Sequence, residues 1–111
     1  VYHLDAIYFH CAPEGVKLDY IDKCRTACFC VVGRTAVQAS KFTTAYESVL
    51  AFGRLQVVSD DIERIKALEL IIDKYSPEHK ETGLKYAQKS FQRTKILRLD
   101  IDRFSGKCKR V

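Results

Sequence analysis

The residues best suited to chemistry lie together near the start of the chain, in Phe9-His10-Cys11-Ala12-Pro13-Glu14-Gly15-Val16-Lys17. Pro13 and Gly15 break the β-type run Ile7-Tyr8-Phe9-His10 and allow the backbone to approach a neighbour or a ligand closely. A helix that starts after them offers unpaired N–H groups and the positive end of its dipole. Lys17 adds a cation in that first turn, where the dipole alone would favour an acid. Such a cation makes sense beside a bound anion. The same residues also fit an ordinary strand, turn and helix with an exposed lysine, and both readings stay open on residues alone. His10 has no acidic or hydroxyl partner at a spacing that marks a triad, so it is either a hydrogen-bonded structural histidine or a site residue.

Other groups carry less chemistry. Tyr46, Ser48 and Arg54 share the parity of one strand face, as a polar site or a sheet edge would. Three of the five cysteines, Cys24, Cys28 and Cys30, fall close together, but a metal site needs a fourth ligand and a turn. The run Ala27-Cys28-Phe29-Cys30-Val31-Val32 reads instead as a buried strand with two small apolar side chains on one face. No metal site is expected. Free thiols of this kind point to a reducing, cytoplasmic setting.

These residues must be held by a small fold. The chain has 111 residues, enough for one domain over residues 1–111. Apolar residues at 47% and charged residues at 30% mark a globular chain and exclude wholesale disorder. No apolar run approaches membrane-spanning length. The net charge is +5. It admits nucleic acid, a membrane surface or a phosphorylated molecule. Lys107-Cys108-Lys109-Arg110 reads as a solvated tail, lacking the aromatics of a nucleic-acid patch, so nucleic acid ranks last among partners.

Patterning supplies the elements. A short helix from about Glu14 would bury Leu18, Ile21 and Val16. The cysteine strand should end at Gly33, with Arg34 to Thr44 as a loop or irregular hairpin end. Tyr46 to Val58 is the longest strand signal, apolar on both faces at its middle, with Gly53 at a bulge or close neighbour. Asp60 and Glu63 form a capping box, and Ile65, Leu68, Ile72 and Tyr75 mark one face of the helix that follows. Ser76-Pro77 ends it. A second helix over Glu81 to Phe91 turns Leu84, Ala87 and Phe91 inward. Leu97, Leu99 and Ile101 alternate with charges in a last strand from Ile96 to Phe104. The fold class is mainly β with flanking helices. Four such strands cannot close a barrel. Methionine is absent, and the chain opens mid-pattern at Val1-Tyr2-His3. A missing N-terminal part or a partner chain is therefore expected to complete the barrel.

The segment Ile7 to Asp19, with Ala27-Cys28-Phe29, Phe42 to Val49, Phe52-Gly53-Arg54 and Ala67 to Ile71, resembles the Nim-type flavoproteins. These are the nitroimidazole-resistance-related branch of the pyridoxamine 5′-phosphate oxidase-like superfamily. The resemblance spans nearly the whole chain. It implies an FMN-binding split β-barrel, with FMN at the interface of a homodimer. It places Phe9 and His10 at the flavin, Lys17 with the backbone near Gly15 at its phosphate, and Ser48 where a flavin-contacting glutamine lies. It also implies a reaction role for His10, hydride transfer from NADH or NADPH, and a small-molecule electron acceptor such as a nitroaromatic. The alternative is a split-barrel module that holds flavin or another cofactor without catalysis. Val16 replaces the arginine that precedes the phosphate lysine in the oxidases. No tryptophan exists to match their C-terminal one, which argues against pyridoxamine phosphate oxidation.

Overall fold

Two 15-residue strands, β4 (Thr43–Val57) and β5 (Lys95–Lys109), form the spine of the molecule in a computed structural model that describes residues 1–111. The remaining strands are β1 (Tyr2–His3), β2 (Ala6–Cys11) and β3 (Thr26–Gln38). The sheet runs β1-β2-β5-β4-β3, and every pairing is antiparallel. Its two edges do not join, so the barrel is open. Helix α1 (Val16–Lys23) links β2 to β3, while α2 (Asp61–Tyr75) and α3 (Lys80–Ser90) link β4 to β5. None of these helices is long and apolar enough to cross a membrane.

Strand alternation divides the core in two. Ile7, Ala51 and Leu99 pack on the concave face with Phe9, Ala27, Leu55 and Ile101. Ile96 lies on the other face, against Val58, Ala67, Leu68 and Ala87 of the helical layer, with Tyr8 beside them. β5 thus buries both faces at its start, where Ile96, Leu97 and Leu99 are almost fully enclosed. Only the N-cap half of the expected capping box forms at the start of α2: the Glu63 N–H donates to Asp60 Oδ2 at 3.0 Å. Such a cap contributes about 1 kcal/mol.

The Glu63 side chain is drawn elsewhere. It accepts from the Tyr8 hydroxyl at 2.6 Å and from Arg98 Nη1 at 2.7 and 2.8 Å. Arg98 Nε also donates to Asp100 Oδ1, and the Gln56 amide donates to Asp100 Oδ2. This chain of partners ties α2 to the outer face of three strands. The Tyr8 hydrogen bond, aided by Arg98, holds the Glu63 carboxyl below its usual pKa. Its stabilisation is therefore complete above the ordinary carboxylate range and is lost as pH falls through the lowered value. Glu63→Gln should cost roughly 1–2 kcal/mol near neutrality. It should also flatten the loss of stability below about pH 4.5. Urea titrations of both proteins across pH 3 to 7 check this, and parallel pH curves would contradict it.

Several expected features change in three dimensions. Cys28 and Cys30 are exposed, not buried. β3 is the sheet's edge, and the helical layer covers the β2–β5 side instead. Arg34 to Thr44 is not a loop: β3 continues to Gln38, a 3-10 turn spans Ala39–Lys41, and Phe42 turns the chain with φ 50°. The ladder Thr35–Tyr46 to Gln38–Thr43 holds this extension beyond a register shift after Val32. The basic C-terminal segment is likewise strand, with Lys107 opposite Ser48 and Lys109 opposite Tyr46. Val16 and Tyr75 are exposed because α1 and α2 each bury a narrower stripe than expected. The middle of β4 is covered only in part, since Val49 stays exposed above buried Ala51.

Candidate functional site

The end of β2 sends consecutive side chains to opposite faces. Phe9 follows Ile7 onto the concave face, and His10 follows Tyr8 toward the helices. On the concave side, Phe9 meets Phe29 of β3 with ring centroids 6.1 Å apart. Lys17, in the first turn of α1, extends back over the Phe9 ring, its Nζ 5.7 Å from the centroid. The Lys17 ammonium makes no ion pair. Phe9, Phe29, Leu55, Leu99 and Lys17 line a recess of about 520 Å³, with His10 at its border. An apolar, aromatic wall with one free cation suits a planar ring that carries an anionic group.

Of the expected site residues, Phe9, His10 and Lys17 come together here. Gly15 does not line this recess. It precedes α1 with φ 154° and ψ 165°, a conformation essentially confined to glycine. That turn brings the Gly15 carbonyl under the Leu18 N–H at 3.1 Å and swings Lys17 toward Phe9. Gly15 itself borders a second recess with Glu14, Asp19, Asp22 and Lys95, where three carboxylates repel an anion. Gly15 shapes the turn, and Lys17 supplies the charge. Ser48 stands apart as well. Phe29 of the recess pairs with Ala51, and Ser48 lies three residues up β4 from Ala51. That is about 10 Å along the strand, and alternation turns Ser48 to the face opposite Ala51.

Sequence reading passed over Phe29 and Leu55 as site residues. The signal for Phe29 was its parity with Ala27, which puts both on the face opposite Cys28 and Cys30.

The pyridoxamine 5′-phosphate oxidase family model matches residues 1–108. The chain belongs to the pyridoxamine 5′-phosphate oxidase family. This agrees with the resemblance drawn from its motifs. Solved structures extend the likeness to the fold. A candidate 5-nitroimidazole antibiotic resistance protein from Bacteroides thetaiotaomicron superposes with a TM-score of 0.71 at 19% identity, over 95% of this chain and 62% of that one. A flavocytochrome from Azotobacter vinelandii gives 0.75 at 20% identity, over 99% and 53%. An FAD and heme binding protein from Mycobacterium smegmatis gives 0.73 at 22% identity, over 96% and 55%. The chain thus spans little more than half the length of these structures. No curated protein matches it in sequence. Membership in the oxidase family and the open sheet together define a mainly β, split-barrel fold.

Proposed function

We propose that this chain forms an FMN site of an oxidoreductase that acts as a homodimer. The free Lys17 cation at the mouth of the Phe9–Phe29 recess carries the reading. The recess fits the cofactor in chemistry: apolar rings for the flavin and one unpaired ammonium for its phosphate. When bound, FMN supplies hydride transfer between a reduced nicotinamide, NADH or NADPH, and a small acceptor such as a nitroaromatic. The flavin-binding and nitroimidazole-resistance descriptions of the structural neighbours support this assignment.

The chain's own residues have limited tasks. Phe9 and Phe29 pack a ring face and exclude water. Lys17 holds the phosphate through a charge-assisted hydrogen bond. His10, at the border of the recess, hands over the proton that accompanies reduction of the acceptor.

Shape and exposure support a second copy. The radius of gyration is 17.0 Å, against about 13 Å for a compact chain of this length. Phe29, Val31, Val49 and Phe104 form neighbouring rows of the concave face, all exposed. A copy docked there removes that surface from water.

The visible spectrum of the full-length protein, followed by FMN titration, tests the reading. Expected are flavin bands at about one per chain and their bleaching by NADH or NADPH, with recovery on adding a nitroaromatic. A protein that takes up no FMN would overturn the site. FMN uptake without reduction would leave a cofactor-holding module in place of the enzyme.

A further inference from the structure

On the opposite face of the sheet, α2, α3 and the end of β2 flank a second, half-open cavity of about 380 Å³. Its wall is apolar, built by Leu68, Ile71, Ile72 and Ala87. Gly83 brings α3 close to α2 there: a Cβ at that position would lie 3.2 Å from the Ile72 side chain. Polar groups gather at the rim, chiefly His10, His79 and Thr82. The lining includes no carboxylate. Neither imidazole has a hydrogen-bond partner within the chain. The nearby Lys80 ammonium is committed to Glu69 and Asp73.

An apolar pocket with a few polar side chains at its edge, free of acids and of this size, has the character of a small-molecule site. From this geometry we infer that the α2–α3 cavity binds a compact aromatic carboxylate. The ring lies against Leu68, Ile72 and Ala87, and His79 with the Thr82 hydroxyl meets the carboxylate. The Lys17 ammonium lies across the sheet, and His10 alone borders both cavities, so the two sites adjoin only at the end of β2. The α2–α3 site also accounts for the direction of the His10 side chain, which strand alternation turns toward the helices.

Calorimetric titration of the full-length protein with 1-naphthoate, with and without FMN, tests the site. One saturable site per chain is expected in both forms. Thr82→Trp fills the mouth from an exposed position of α3 and should weaken binding at least tenfold. His79→Ala removes a donor from an exposed turn and should weaken it about tenfold. Lys17→Ala should leave naphthoate affinity unchanged whatever it does to FMN. Amide shifts in the titration should centre on Thr82 and Gly83. No saturable binding by the folded protein would overturn the inference. So would wild-type affinity in Thr82→Trp, or shifts centred on Phe9 and Phe29.

Discussion

Replacing Gly53 with alanine should prevent the sheet from forming as it stands, a loss beyond about 4 kcal/mol. Gly53 sits on β4 where the register against β5 shifts by one residue. A Cβ there would collide with the Asp100 carbonyl oxygen and lie only 2.8 Å from its carbon and 3.0 Å from Ile101 Cα. These are backbone atoms of the central strand, so no rotamer relieves the clash. Relief requires parting β4 from β5 beside buried Ala51 and Leu99. It would also displace Asp100 from the Gln56 amide and from Arg98, which links it to Glu63. Circular dichroism and urea unfolding of Gly53→Ala check this: the variant should be unfolded or recovered only in aggregates. A cooperative transition near that of the parent would show that β5 can bulge to accept the methyl group.

The second large effect concerns the cofactor. Lys17→Ala should weaken FMN binding by roughly 10- to 100-fold, the value of one charge-assisted contact to a phosphate. The side chain is exposed and unpaired, so its removal should leave thermal stability nearly unchanged. Its contribution should shrink as salt rises, since an exposed charge is screened. His10→Ala, in contrast, should bind FMN as the parent does and turn over more slowly. Fluorescence titration of FMN, together with steady-state reduction of a nitroaromatic, separates the two variants. Equal FMN affinity in Lys17→Ala and the parent would remove the phosphate assignment, whereas loss of FMN in His10→Ala would make His10 a binding residue.

Much of this architecture is legible in local pattern. Asp60 and Glu63 mark the start of α2, because a cap acts within one turn and needs no distant partner. Pro13 and Gly15 mark the break between β2 and α1 for the same reason. Alternation assigns Leu97 and Leu99 to one buried face of β5. The unpaired Lys17 stands out against helix-dipole logic before any fold is known. Gly53 is readable as a bulge, a bend or a close neighbour; it stands opposite a bulge in β5 and close against the Asp100 backbone.

Tertiary pairing decided the rest. Nothing in Arg34 to Thr44 or in Lys107 to Lys109 favours a strand by periodicity; each is held by the ladder it makes with β4. Cys28 and Cys30 have the composition of a buried strand and yet are exposed, because burial depends on where β3 stands in the sheet. The sequence alone determined that Phe9, His10 and Lys17 lie near a turn able to approach a ligand. The sheet determined that Phe9 and His10 turn to opposite faces, that the Lys17 ammonium lies over the Phe9 ring, and that Ser48 faces away from the recess. The physical reason is that local signals arise within a turn or a strand period, whereas a site is assembled by long-range register. Register is set by which apolar faces must meet.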